Sequence, residues 1–337
     1  MTNPKDIKKL FTAFESKSIL IIGDVMIDAY LWGKVDRISP EAPVPIVSLK
    51  KRENRMGGAA NVALNIQSMG ARPILCSTIG KDDKSHLFFE LMKKQKLDFA
   101  GITTSEQRIT TTKFRIIGNN MQMLRVDEET EKELSAEDSK ILMDKISAIL
   151  NDEAIGAVVF EDYDKGVITP WLIDKVVSLA KEKKIPVVVD PKKKNFMNYH
   201  GVTLFKPNLK ELKEGLKLDE EIETNEQIAE AVKQLQEKLH VETALTTLSE
   251  KGIYYSQKSI NGDYNTGIIP AHIRNISDVS GAGDTVISII ALCMACHTPT
   301  DLMARIANLA GGIVCEYIGV VPIDKEKLLQ ETLKAYT

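Results

Sequence analysis

The sequence predicts an α/β fold: a doubly wound, mostly parallel sheet with helices on both faces, and a small inserted β-sheet serving as a lid. Three observations carry that expectation. Short apolar runs close on polar residues and are followed by segments of helical spacing. The alternation recurs along most of the 337 residues. Two stretches near the front break it with strand-like alternation of their own. Strand followed by helix is the signature of a parallel sheet covered on both faces.

In chain order, the first apolar run is 18–22, closed by Gly23 and Asp24. The run 157–160 closes on Glu161, Asp162 and Tyr163, and 186–189 closes on Asp190 and Pro191. Runs at 203–205 and 244–248 end at Lys206-Pro207-Asn208 and at Ser249. Between them, 171–183 and 225–239 carry apolar residues at helical spacing, as do Met303, Ile306, Leu309 and Ile313. In such sheets ligands bind beyond the carboxyl ends of the strands, where these Asp, Asn, Lys and Ser residues accumulate.

The two exceptions form the lid. The stretch 28–49 holds Tyr30, Trp32, Val35 and Ile38, then Pro40, Pro43 and Pro45. The stretch 110–126 alternates Thr112, Phe114 and Ile116, turns at Gly118-Asn119-Asn120 and reads as a β-hairpin. The lid is expected at about 28–50 and 108–127, inside a single domain spanning 1–337. An exposed apolar face on it would favour pairing with a second copy, so a homodimer through the lid is expected.

Composition removes several classes. A balance of 44 Lys+Arg against 47 Asp+Glu argues against an electrostatically driven nucleic-acid partner. Apolar runs such as 19–22 and 157–160 fall far short of the roughly 18 residues a membrane span needs. The polar N-terminus has no signal-peptide core, so a cytoplasmic location without a membrane partner is expected. Cys76 and Cys315 are isolated, and Cys293 and Cys296 sit in an apolar helical run; all four are expected as buried, reduced thiols.

The most informative segment is Asp278-Val279-Ser280-Gly281-Ala282-Gly283-Asp284-Thr285, between a β-like stretch, 267–276, and a helical run, 286–295. Its glycines allow a tight turn that presents backbone N–H groups at a helix N-terminus, where an anion is favoured. The third glycine of a dinucleotide fingerprint is missing, and no Walker loop occurs. Asp284 leaves two readings open. It is a first-turn acid favoured by the helix dipole, or a base that takes a proton from a hydroxyl beside charge-stabilising amides. A second Gly-rich segment, Met56-Gly57-Gly58-Ala59-Ala60-Asn61, leads into a helical pattern at 62–69. It allows close backbone approach to a ligand, or simply tight packing at a strand-to-helix turn.

Together these segments resemble the ribokinase (PfkB) family of sugar kinases. Gly57-Gly58-Ala59-Ala60-Asn61, followed by Gly70 and Gly80, matches its N-terminal signature, and 278–284 matches its C-terminal one. Ile289 departs from a position where the family prefers Ala or Gly. Within the family, Gly23-Asp24-Val25-Met26-Ile27-Asp28, the segment 37–45, 162–166 and Asp190-Pro191-Lys192 resemble the kinase domain of the heptose kinase/adenylyltransferases of lipopolysaccharide biosynthesis. That class phosphorylates the anomeric hydroxyl of D-glycero-β-D-manno-heptose 7-phosphate. The His-x-Gly-His motif of an adenylyltransferase does not occur before Thr337, so no such domain is expected.

The resemblance implies roles residue by residue. Asp284 would be the general base, and the amides of Gly281, Ala282 and Gly283 the anion hole for the transferring phosphoryl. Asp28, Gly57, Gly58, Asn61 and Asp162 would face the sugar. Lys113, Arg125, Lys165 and Lys192 would supply the cations a phosphorylated substrate needs. Asn208 and Glu211 would organise water and Mg²⁺, with Thr247, Ser249 and Gly252 at the ATP phosphates and Asn308 at the adenine. Asp278 matches the acidic position of a monovalent-cation (K⁺) site in some members. The partners implied are a sugar phosphate and ATP. Three alternatives stay open: a kinase for another sugar or nucleoside, a non-catalytic sugar- or nucleotide-binding protein, and a dehydrogenase, the last lacking its glycine fingerprint.

Overall fold

The computed structural model describes residues 3–272 and 274–335. Helix α1 (Pro4–Phe14) leads into β1 (Ser18–Gly23), and a single residue, Asp24, separates β1 from the long ribbon β2 (Val25–Ile38) and β3 (Pro45–Gly58). There follow α2 (Ala59–Ser68), β4 (Arg72–Gly80), α3 (Asp83–Lys94) and β5 (Ile102–Ser105). A hairpin, β6 (Thr112–Gly118) and β7 (Met121–Glu128), precedes α4 (Ala136–Asp152), β8 (Ile155–Glu161), α5 (Pro170–Glu182) and β9 (Val187–Asp190). The short β10 (Leu204–Phe205), α6 (Leu209–Leu216), α7 (Asn225–Leu239) and β11 (Thr243–Thr247) continue the alternation. The chain closes with β12 (Ile253–Lys258), β13 (Tyr264–Ile269), α8 (Ala282–Ala295), α9 (Thr300–Val314) and α10 (Lys325–Lys334).

Among the described residues, nine strands form the main sheet in the order β13-β12-β11-β10-β9-β8-β1-β4-β5. Pairing is parallel from β11 through β5, and β12 and β13 add an antiparallel edge. Because a strand's side chains alternate between faces, Ile19 and Ile21 of β1 enter one apolar cluster while Leu20 and Ile22 enter the other. Helices α1, α2, α3, α8, α9 and α10 cover the first face, and α4 to α7 the second. Each fully buried Leu or Ile contributes about 1.5–3 kcal/mol. Ile289 is one of them, packed in α8 with no exposure.

The second sheet has the order β3-β2-β6-β7. Its β2–β3 ribbon outruns the expected 28–50 at both ends, because β2 leaves β1 after one residue and β3 runs straight into α2, whereas β6 starts at Thr112, later than the expected 108. Asn119 and Asn120 both adopt positive φ, 53° and 64°, the backbone a two-residue hairpin turn requires. The strand expected at 267–276 is instead β13, which starts earlier and ends before Pro270; residue 273 lies outside the described residues. Cys76 and Cys293 are buried free thiols, whereas Cys296 and Cys315 are only half-buried, a correction to the expected burial of all four.

Candidate active site

Helices α2 and α8 both begin at a glycine and carry no side-chain cap, so their first N–H groups are left without a side-chain acceptor. Gly281 takes φ 79°, and a β-carbon there would stand 2.9 Å from Asn61 Nδ2. The two helices pack together, which brings their first turns face to face. Asn61 Nδ2 donates to Asp284 Oδ2 at 2.7 Å, and the Tyr163 hydroxyl donates to Asp284 Oδ1 at 2.6 Å. Asp284 is buried, and burial raises its carboxyl above the ordinary value; the Tyr163 and Asn61 bonds pull against that rise.

Around this carboxylate the parallel strands end in charge. Glu161 ends β8, Asp190 ends β9 and Lys206 follows β10, all buried. Lys206 Nζ lies 2.8 Å from Asp190 Oδ2. Gly283 faces that pair, since a β-carbon on it would stand 3.6 Å from Asp190 Oδ2 and 3.9 Å from Lys206 Nζ. Burial, then the Asp190 and Asp284 charges, push Glu161 well above the usual carboxylate range, and its Oε2 has no hydrogen-bond partner.

The turn that carries Tyr163 is tied from below. Asp24 accepts from the backbone N–H groups of Tyr163, Lys165 and Val167 at 2.9, 3.1 and 3.0 Å. Asp162 accepts from Tyr199 Oη at 2.8 Å and from Asn195 Nδ2 at 3.1 Å, turned away from Asp284 into the core. Burial and the neighbouring Asp24 raise Asp162 to about 6. Its contacts are those of a structural acid.

One face of the second sheet is charged, as its register dictates. Arg55, Asp28, Lys113 and Asp127 stand in one row, and Tyr30, Arg115 and Arg125 in the next. Asp28 pairs with Arg115 and packs against Gly57, whose β-carbon would collide with its Oδ2. The four residues expected as cations for a substrate phosphate all meet carboxylates. Glu129 lies between Lys113 at 2.7 Å and Lys165 at 2.8 Å. Asp127 takes Lys113 and Arg125, each at 3.0 Å, and Lys192 pairs with Glu211. The sequence reading counted positive residues without their partners, which arrive from β7, from the segment after it and, for Lys192, from α6.

Asn208 and Glu211 form a capping box on α6: each side chain accepts from the other's backbone N–H, at 2.8 and 2.9 Å. Asn208 bridges to Thr247 at the end of β11, with Ser249 exposed just beyond. Gly252 is packed against the backbone of Ile269. Asn308 on α9 donates to the Pro270 carbonyl at 2.9 Å, on the β13 side of the same edge. Asp278 lies apart. Burial opposes its ionisation, but bonds from Ser280 and the Gly319 N–H outweigh it and hold the carboxyl below its ordinary value.

The geometry therefore joins Asn61, Tyr163, Asp284, Gly283, Asp190 and Lys206 at the sheet's carboxyl edge. The sequence reading missed Tyr163, Lys206, Asp190, Asp24, Glu161 and Arg115 as site residues. Arg115 was legible, because it lies two residues from Lys113 on a strand and so shares its face. Tyr163 had no such signal, since its contact with Asp284 spans 121 positions.

The model of the pfkB family carbohydrate kinases matches residues 16–327. The chain belongs to this family. As a pfkB carbohydrate kinase it is a phosphotransferase acting on an alcohol group. Similar proteins include the bifunctional protein HldE of Methylobacillus flagellatus, 38% identical over 93% of this chain and 62% of its own length. The HldE of Geotalea uraniireducens is 35% identical over 97% of this chain and 65% of its own. The chain thus spans about two thirds of the length of these relatives. Among solved structures, Escherichia coli phosphofructokinase-2 in complex with potassium superposes with a TM-score of 0.75 at 16% identity, covering 95% of this chain and 98% of that one. Arabidopsis thaliana ribokinase complexed with ribose and ATP gives 0.70 at 18% identity, covering 94% and 98%. These two likenesses concern the fold.

Sugar kinases of this pfkB family use ATP and Mg²⁺. Among the described residues no three His, Cys, Asp or Glu side chains gather into a metal cage. The orphaned, buried Glu161 Oε2 suits an ion that arrives with its nucleotide, because Mg²⁺ is commonly held by one or two carboxylates plus phosphates and water.

Proposed function

We propose that this chain transfers a phosphoryl group from ATP to the anomeric hydroxyl of D-glycero-β-D-manno-heptose 7-phosphate, giving the 1,7-bisphosphate. The kinase chemistry rests on one observation: a buried carboxylate, Asp284, held by Asn61 and Tyr163 in the first turn of a glycine-opened, uncapped helix. The heptose assignment draws support from the segments 23–28, 37–45, 162–166 and 190–192 and from the similarity to HldE proteins.

Asp284 accepts the proton of the sugar hydroxyl, while the N–H groups of Gly281, Ala282 and Gly283 stabilise charge on the phosphoryl in flight. Bound Mg-ATP supplies that phosphoryl group and offsets part of its charge. Asp28, Gly57, Gly58 and Asn61 orient the sugar. Lys113, Arg125, Lys165 and Lys192 receive its phosphate after exchanging their carboxylate partners. Asn208, Glu211, Thr247, Ser249, Gly252 and Asn308 serve the nucleotide side, and Asp278 a monovalent cation. Residues 28–50 and 108–127 act as a lid on a single kinase domain that works in the cytoplasm. The exposed Met121, Leu124 and Val126 of β7 form part of its homodimer surface.

A second reading is favoured by Glu129. Its hold on Lys113 and Lys165 leaves those cations already neutralised, which suits an unphosphorylated sugar. ADP release with Mg-ATP across a panel decides: the β-heptose 7-phosphate, its α-anomer, fructose 6-phosphate, sedoheptulose 7-phosphate, ribose and adenosine. Preference for the β-heptose phosphate supports the first reading. Turnover of ribose or adenosine alone replaces it with the second.

A further inference from the structure

We propose that Tyr163 is a positioning residue: its hydroxyl fixes the Asp284 carboxylate and keeps it ionised in a buried site. The inference rests on the reading of Asp284 as the base. Both oxygens of Asp284 are held, Oδ2 by Asn61 at 2.7 Å and Oδ1 by the Tyr163 hydroxyl at 2.6 Å. The two donors differ in kind. Asn61 projects from α2 into the packed interface with α8 and also anchors Asn65, so it is part of the core. Tyr163 stands on the turn after β8, only half-buried, with Lys192 Nζ 5.7 Å above its ring.

The charged surroundings make the hydroxyl matter. Asp284 faces Asn61 from α2, Glu161 from β8, Asp190 from β9, Lys206 after β10, and Tyr163 with Lys192 above it. Glu161 and Asp190 oppose a further negative charge, and Lys206 is already engaged by Asp190 at 2.8 Å. A hydroxyl has one proton to give, and a carboxylate, unlike a carboxylic acid, offers only acceptors. The Tyr163 bond therefore favours the ionised form, the one able to accept the proton of a sugar hydroxyl. Three backbone bonds from the same turn to Asp24 hold Tyr163 at this reach.

The test compares wild type, Tyr163→Phe and Asp284→Asn with Mg-ATP and D-glycero-β-D-manno-heptose 7-phosphate, following kcat/KM from pH 5 to 9. That ratio reports the free enzyme's ionisations. With Asp284→Asn inactive, the acid limb in Tyr163→Phe is expected to move up by about one pH unit, with turnover recovering at high pH. An acid limb that stays in place while kcat falls at every pH overturns the proposal and leaves the base assignment standing. Near-normal turnover by Asp284→Asn overturns the base assignment instead. A second measurement needs no turnover. The carboxyl ¹³C resonance of Asp284, identified by its loss in Asp284→Asn, is titrated in wild type and Tyr163→Phe. A higher midpoint in the variant supports the proposal, and equal midpoints overturn it.

Discussion

Lys206 reaches across from the end of β10 to Asp190 at the end of β9, 2.8 Å from Nζ to Oδ2, with both side chains buried. Burial opposes the Lys206 charge, but Asp190, Glu211 and Glu161 outweigh it and hold its ammonium more basic than usual. The pair therefore sets the charge balance of the whole site. Lys206→Met is expected to destabilise the protein by about 3–5 kcal/mol, because it strands Asp190 among other buried carboxylates. Lys206→Met with Asp190→Asn should regain most of that loss in urea unfolding but not the activity. A double variant no more stable than the single one would disprove this account.

Asp284→Asn keeps the shape and the Tyr163 donor while removing the charge. Turnover should fall by about 10²–10⁴-fold, with ATP affinity measured by calorimetry unchanged within a factor of a few. Since burial raises the Asp284 carboxyl, its removal should leave the melting temperature level or higher. A melting temperature that drops sharply would show Asp284 to be chiefly a structural acid.

Glu129→Gln frees both Lys113 and Lys165 from one carboxylate. For a sugar phosphate, KM should fall several-fold while KM for ATP holds. A rise in the sugar-phosphate KM would mean that Glu129 orders these lysines for the substrate rather than competing with it.

Asp162 gives a pH dependence of stability. Its carboxyl is raised from an ordinary value near 3.8 to about 6, so between those limits the folded state binds more protons than the unfolded chain. Stability attributable to this group therefore falls as pH rises from 4 to 6 by about 3 kcal/mol, and is flat above. Asp162→Asn should flatten that slope in unfolding curves at pH 4.5, 5.5 and 7. An unchanged slope would assign it to Glu161 or Asp24, whose carboxyls burial also raises.

Much of the fold was legible because it follows from local chemistry. The apolar runs that become strands, the helical spacing at 171–183 and 225–239, and the paired asparagines of the β6–β7 turn are short-range features. Asp284 and Asn61 were legible as members of two Gly-rich segments. What could not be read is compensation at a distance: Glu129 on Lys165, Glu211 on Lys192 and Arg115 on Asp28 depend on which strands become neighbours. The same limit applies to the expected role of Asp162 toward the sugar. Nothing in its local sequence shows that its carboxylate turns inward to Tyr199.

Asp24 joins the two sheets, and its connections make it a pivot. Its backbone N–H donates to the Glu161 carbonyl, its own carbonyl accepts from Ala59 where β3 enters α2, and its side chain ties down the turn that holds Tyr163. Both roots of the β2–β3 ribbon therefore meet at one residue that also grips the tether of Asp284. Any swing of the four-stranded sheet about its base is mechanically geared to the attitude of that carboxylate. The amides of Tyr163, Lys165 and Val167 are then the place where hydrogen exchange would register the sheet's movement.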